Sequence, residues 1–248
     1  MALTSANREA TLTYWLKNAV YLAGLPGFAA AVHLAGARAR TPSDWLSLTK
    51  RLRYRGYSLR AHQVDEEILD LLAELRERGA ERVVEIGTAR GGTLFLLMRS
   101  LSRTARLVSV DLPSGPFGGG YPHWKALLFR SLTRQGQKLT LLRGDSHSPD
   151  TCEKVSAALD GPADFILIDG DHSYEGAKQD FELYRHLLGE HGFLAFHDIV
   201  PGPSDKVGGV PQLWQELKAQ FEHREIVKNW DQRSYGIGVL YPRGRPKS

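Results

Sequence analysis

Five short apolar runs punctuate residues 82–197, and each stops at an acid or a glycine turn: RVVEI (82–86), RLVSV (106–110), LTLLR (139–143), DFILI (164–168) and GFLAFH (192–197). Runs of this length, rich in Val, Ile, Leu and Phe, read as buried strands. Helix-length amphipathic stretches near 91–102, 122–135, 149–159 and 175–189 separate them; another near 62–78 precedes the first, and PQLWQELKAQF (211–221) follows the fifth. This alternation builds βα units around a mainly parallel sheet. Two more runs, REIVKN (224–229) and GIGVLY (236–241), are joined only by the short DQRSY region. That is too short for a crossover helix, so they pair antiparallel as a hairpin.

In an open α/β sheet the ligand sits outside the carboxyl ends of the strands. After strand one comes Glu85-Ile86-Gly87-Thr88-Ala89-Arg90-Gly91-Gly92-Thr93, after strand two Asp111, after strand three Gly144-Asp145-Ser146-His147, after strand four Asp169-Gly170-Asp171-His172, and after strand five Asp198. One such end is ordinary turn chemistry, but five in order point to one continuous site. The first turn lets backbone approach a ligand closely. It is not a GxGxxG dinucleotide fingerprint, which needs glycine where Ala89 stands. Asp111 at the end of strand two can accept hydrogen bonds from both ribose hydroxyls.

VVEIGTARGGT, VDL at 110–112, GDS at 144–146, IDGDHSYEGAKQD and FHDI at 196–199 together resemble a class I S-adenosylmethionine-dependent methyltransferase. Within that class they are most similar to the small-molecule and sugar O-methyltransferases that include the macrolide-sugar enzymes and the cephalosporin hydroxylase-like proteins. The resemblance covers roughly residues 61–241. It implies a Rossmann-like fold with a seven-stranded, mainly parallel sheet and an antiparallel C-terminal hairpin, to which the residues before 61 add a helical N-terminal cap. It assigns the methionine part of the cofactor to Glu85, Gly87 and Gly91 with Thr88, Ala89, Thr93 and Asp169 alongside, the ribose to Asp111, and the adenine edge to Asp145 and Ser146. In metal-dependent members the acid ending strand four binds a divalent cation, the residue three positions on is often a base, and acids ending strand five complete the site. Carried over, Asp169 and Asp198 become ligands of Mg²⁺ and His172 the general base, with Asp171 as substitute ligand or base. Where relatives often carry two adjacent acids, this chain has His197-Asp198. His197 as a ligand leaves open Mn²⁺ or another metal that tolerates imidazole. The plainer alternative has Asp169 and Asp171 capping the helix at 175–189, with His172 packed on it.

The first 60 residues, assigned as a helical cap on a methyltransferase domain spanning 61–248, match no family by motif. They look helical, with breaks expected at Leu25-Pro26-Gly27 and Thr41-Pro42-Ser43-Asp44, where Ser43 or Asp44 would cap the next helix. AVYLAGLPGFAAAVHLAGA (19–37) is apolar, but Pro26, Gly27 and His33 interrupt it, which favours a buried or interface helix pair over a membrane span. Arg38, Arg40, Lys50, Arg51, Arg53, Arg55 and Arg60 face Asp44 alone in a chain of net charge +4. A solvated basic face, a peripheral membrane contact through residues 19–60 and an anionic substrate all stay open, as does a homo-oligomer; no aromatic-interleaved motif speaks for nucleic acid. The aromatics Tyr14, Trp15, Tyr21, Trp45, Tyr54 and Tyr57 are candidates to cover an acceptor pocket or form a dimer contact. A flexible loop at 113–122 is a candidate lid, His147 reads as a solvated loop histidine, and Trp214 with Leu217 reads as core. The single cysteine, Cys152, allows no intrachain disulfide and no zinc site, and MALTSANREA has no secretory character, so the cytoplasm is the expected compartment. The expected activity is methyl transfer to the hydroxyl of a small molecule. The rivals are a nicotinamide oxidoreductase on a similar sheet and a non-catalytic module that binds a cofactor or a membrane.

Overall fold

The computed structural model describes residues 5–54, 57–113 and 120–244, with side chains described from residue 18 onward apart from that of Tyr54. The side chains of Tyr14, Trp15 and Tyr54 and most of the candidate lid lie outside what is described.

Two helices open the chain, α1 (Ser5–Gly36) and α2 (Pro42–Arg51), followed by a two-residue antiparallel ladder between Arg53–Tyr54 and Tyr57–Ser58. The βα units follow: α3 (Asp65–Glu77), β1 (Arg82–Ile86), α4 (Gly92–Ser100), β2 (Arg106–Asp111), α5 (His123–Ser131), β3 (Lys138–Arg143), α6 (Pro149–Leu159), β4 (Ala163–Ile168), α7 (Tyr174–Tyr184) and β5 (Leu188–His197). The chain closes with α8 (Ser204–Val207), α9 (Val210–Lys218), β6 (Glu222–Ile226) and β7 (Ile237–Tyr241). The seven strands lie in the order β3-β2-β1-β4-β5-β7-β6. The first five run parallel, and β7 pairs antiparallel with both β5 and β6. The order reverses between β1 and β4, which sets a crevice at their carboxyl ends.

Successive strand residues face opposite sides of a sheet, so one strand supplies two apolar layers. Val83, Leu107 and Phe165 face the layer built with α1 to α5, while Val84, Val108 and Ile166 face the layer built with α6, α7 and α9. Trp214 and Leu217 lie in the second layer, as their helical spacing indicates.

The expected break at Leu25-Pro26-Gly27 is absent: α1 runs through Pro26. Leu25, Phe28 and Val32 are buried on the inner side, so packing on both sides of the proline outweighs the one hydrogen bond it removes. Thr41, not Ser43 or Asp44, caps α2. Its hydroxyl accepts from the Asp44 N–H while the Asp44 carboxylate accepts from the Thr41 N–H, a reciprocal box in the T-x-x-D spacing. Helix α7 is shorter than expected, ending at Tyr184, and β5 starts earlier, at Leu188. Tyr21 and Tyr57 do not cover a pocket. Tyr21 stacks on Trp124 with ring centroids 5.1 Å apart, Tyr57 stacks on Phe28 at the same separation, and together they hold α1 against α5. His33 Nε2, 2.8 Å from the Ser131 carbonyl, adds a polar tie to the end of α5. On the outer side of α1, Val20 and Leu34 are 71% and 73% exposed, and Asn18–Gly36 is long and apolar enough, by length and composition, to cross a membrane.

Candidate functional site

A cavity of about 860 Å³ opens at the carboxyl ends of β1 to β5. Gly87, Thr88, Ala89, Thr93, Asp111, Asp145, Ser146, Asp169, Asp171, His172, His197 and Asp198 all line it. Glu85 and Gly91 do not. Glu85 is buried, with neither carboxylate oxygen hydrogen-bonded among the described residues, and its carboxyl is pushed well up, first by burial and then by the charges of Asp169 and Asp111. Gly91 packs against the Phe129 ring instead of facing the cavity.

On the β1–β2 side, the Asp111 carboxylate accepts from the Ala89 N–H at 3.1 Å and the Gly120 N–H at 3.2 Å, and burial raises it to about 6. The Thr88 hydroxyl bonds that of Ser109 below it. Asp145 accepts from the His147 N–H at 3.0 Å, and the Ser146 carbonyl accepts from the Tyr184 hydroxyl at 3.0 Å. His147 is not the solvated histidine expected. It lines the cavity with Nε2 3.6 Å from the fully buried Asp180, whose nearby carboxylate raises its pKa.

On the β4–β5 side, two acids and two histidines interlock. His197 Nδ1 lies 3.1 Å from Asp169 and 3.3 Å from Asp198, and His172 lies 3.6 Å from Asp169 through Nε2 and 3.4 Å from Asp198 through Nδ1. Burial alone would raise both carboxyls, but His197, with His172 adding to it, holds both below the ordinary carboxylate range. The same pairing lifts His197 well above its ordinary value and His172 to about 9, against the downward pull of burial. His172 Nδ1 sits 2.6 Å from the Lys206 carbonyl, which places a ring proton on that nitrogen and leaves Nε2 as the one able to lose or accept a proton. The Gly209 N–H donates to the His172 carbonyl at 2.8 Å, so α8 and the start of α9 fix this histidine from outside the sheet. Asp171 accepts from the Ser173 N–H at 2.8 Å, and Ser173, not Asp169 or Asp171, supplies the side-chain cap of α7.

The ligand atoms of Asp169, His172 and Asp198 lie within 4.8 Å of one another. Two carboxylates and one imidazole suit a divalent cation of the Mg²⁺ or Mn²⁺ kind. His197 stands beside this group with its Nε2 buried and without a hydrogen-bond partner among the described residues. Asp198 occupies left-handed backbone, φ +63, held there by the Tyr235 N–H at 2.7 Å and the Ser234 hydroxyl at 3.4 Å. Strain of this sort persists where the surroundings over-determine it.

Sequence reasoning passed over His62, Gln63, Lys125, Ser234 and Tyr235, and named Arg60 only within a basic stretch; all six line the cavity. Gln63 donates to Asp169 at 3.3 Å. Ser234 and Tyr235 are positioned from a distance by Glu67 on α3, 1% exposed, which accepts from the Lys228 N–H, Gln232 Nε2 and the Gly236 N–H at 2.8 to 3.0 Å. The available signal was the third of the three acids, Asp65, Glu66 and Glu67, that open an otherwise amphipathic helix. Glu67→Ala strands three donors and is expected to cost about 2 kcal/mol. A urea denaturation midpoint equal to that of the wild type would show that the loop holds itself.

Residues 84–199 match the family described as a methyltransferase domain. The chain carries a methyltransferase domain. It is 28% identical over 179 residues, 68% of its own length and 71% of the relative's, to the ribosomal RNA large subunit methyltransferase E of Novosphingobium aromaticivorans. Over 131 residues it is 28% identical to the uncharacterized protein R132 of Acanthamoeba polyphaga mimivirus, and the chain spans 57% of that protein's length. Its fold is shared with an O-methyltransferase from Bacillus cereus in complex with S-adenosylhomocysteine, at TM-score 0.57 and 18% identity, over 88% of this chain and 99% of the other. It is shared also with TomG of Streptomyces achromogenes, an O-methyltransferase of tomaymycin synthesis in complex with S-adenosylmethionine, at TM-score 0.52 and 17% identity, over 86% and 95%. The family match decides against the nicotinamide oxidoreductase alternative.

Proposed function

We propose that this methyltransferase acts on a hydroxyl of a small molecule, such as a sugar or polyketide, with the help of a divalent cation, Mg²⁺ or Mn²⁺. The observation that carries the reading is the gathering of Asp169, His172 and Asp198 on the far wall of the same cavity that Asp111 and the β1 turn enter from the other side. The cavity volume suits a cofactor with a small acceptor beside it. Asp111 takes the ribose hydroxyls, the backbone of Gly87 to Ala89 borders the methionine part, and Asp145 with Ser146 borders the adenine. S-adenosylmethionine supplies an already activated methyl on sulfonium. Asp169 and Asp198 would hold the cation, whose charge would lower the pKa of a bound hydroxyl. The chain itself aligns the acceptor, and His172 Nε2 is the atom placed to take its proton once a cation on Asp169 and Asp198 cancels the charge that keeps the imidazole protonated. The convergence of ligand atoms favours a second reading, in which His172 joins the cation and Asp171 is the base. The cytoplasmic location belongs to this reading, and the exposed side of α1 is left for a membrane surface or a second copy of the chain.

The test is transfer of labelled methyl to a panel of sugars, hydroxylated polyketides and total RNA, with and without chelator. Label in small-molecule hydroxyls that chelator abolishes is expected; label in RNA alone would overturn the small-molecule reading.

Asp111 gives a pH dependence. With its carboxyl near 6 instead of the ordinary 3.8, the folded protein keeps a proton through that interval which the unfolded chain has lost. Its contribution to stability is complete below 3.8 and lost as pH rises through about 6. Accepting two ribose hydroxyls favours the ionised form, so affinity for S-adenosylhomocysteine should rise about tenfold from pH 5 to 7. Asp111→Asn should flatten that profile; a profile that keeps its slope in the variant assigns it to another group.

A further inference from the structure

Three cations line the cavity, none of them in an ion pair with a carboxylate among the described residues. Arg60 comes from the segment leading into α3, Arg90 from the β1–α4 turn and Lys125 from the first turn of α5. Among the described residues, the carboxylate ion pairs of lysine and arginine are all made by other residues than these. His62 stands among them, its imidazole held below its ordinary value first by burial and then by Arg90 and Arg60. Lys125 is half-buried and pulled down to about 8, first by burial and then by Arg90, with Asp111 acting the other way.

The fold forces this proximity. A Cβ on Gly92 would stand 2.2 Å from the Ala61 nitrogen and 2.5 Å from the Arg60 carbonyl carbon, so the segment carrying Arg60 is clamped onto the first turn of α4, beside Arg90. Like charges held together without partners are unfavourable, and an anion seated among them relieves the repulsion. Arg60 and Arg90 are exposed at the mouth, where an incoming molecule passes. His62 also senses Asp169 and His197, which brings this end of the cationic belt near the reactive cluster.

We propose that Arg60, Arg90 and Lys125 form an oxyanion subsite for a carboxylate or phosphate carried by the methyl acceptor. The acceptor is then a hydroxylated organic anion, tethered at the mouth with its hydroxyl toward Asp169 and His172. The identity of the carrier rests on the methyl-transfer reading; the subsite itself does not.

The test compares the wild type with the triple variant R60Q/R90Q/K125M by thermal unfolding, with sodium phosphate replacing chloride at fixed ionic strength. Phosphate should raise the wild-type Tm and leave the variant's unchanged, since only a bound anion stabilises the folded state. In chloride the variant should melt at or above the wild-type temperature, because the repulsion is gone. An equal phosphate response in both proteins, or none in the wild type, overturns the subsite. Affinity for S-adenosylhomocysteine should agree within about threefold between the two. A loss of tenfold or more, with 5′-methylthioadenosine binding unchanged, would assign the cations to the cofactor's own carboxylate and overturn the acceptor role. Should the wild type bind no S-adenosylhomocysteine, the methyl-transfer reading fails, while the phosphate comparison still decides the subsite.

Discussion

Gly87→Ala is expected to destabilise the protein by about 3 to 5 kcal/mol and to remove cofactor binding with it. Gly87 has φ +94, and an added Cβ would stand 1.9 Å from the Asp169 carbonyl oxygen and 2.8 Å from the Gly170 nitrogen. Neither side can yield. The Gly87 N–H donates to the Val110 carbonyl at 2.9 Å, and the Asp169 N–H donates to the Ile86 carbonyl at 2.8 Å, so the ends of β2, β1 and β4 are tied into one ladder. A methyl group here must strain the backbone of Gly87 or pry β4 from β1, and β4 carries Asp169. Gly27→Ala is the control: its Cβ meets nothing within 4 Å, and helix propensity alone should stabilise α1 by roughly 0.5 to 1 kcal/mol. Urea denaturation of both variants measures the contrast. Equal midpoints would mean that the β1–β4 crevice is looser than its hydrogen bonds indicate.

His172→Ala is expected to slow methyl transfer by about 10² to 10⁴-fold, the range for loss of a positioned general base. Affinity for S-adenosylhomocysteine should stay within about threefold, because His172 is not among the residues assigned to the cofactor, all of which except Asp169 lie around the ends of β1, β2 and β3. The split separates three accounts. If the rate falls and Mn²⁺ affinity holds, His172 is the base. If Mn²⁺ affinity falls with the rate, His172 is a ligand and Asp171 becomes the candidate base. If nothing changes while deletion of residues 1–60 abolishes partner binding, the chain is a binding module.

What could be read from the sequence follows from where side chains must go. Strands buried on both faces leave near-continuous apolar runs, so β1 to β5 showed themselves, and their ends at Asp111, Asp145, Asp169 and Asp198 marked one edge of the sheet. Residues whose place depends on distant packing were hidden. Arg60 and His62 reach the cavity only because Gly92 lets the backbone of Ala61 approach, and Ser234 and Tyr235 reach Asp198 from a loop organised by Glu67, 167 or more positions earlier than either. Pro26 misled for the same reason: local propensity breaks a helix there, whereas the burial of Phe28 and Val32 against the sheet domain keeps it whole. The Thr41 cap was visible in principle, since T-x-x-D places a hydroxyl and an acid at reciprocal reach.

The most direct measurement is calorimetric titration of the folded protein with S-adenosylhomocysteine, once with Mg²⁺ and once with chelator. The account predicts one-to-one binding of similar affinity in both, because Asp111 and the β1 turn hold the cofactor while the cation faces the acceptor, and it predicts weaker binding by Asp111→Asn. Absence of binding under both conditions, from protein shown to be folded, would contradict the claim that the strand-end cavity is a methyl-transfer site.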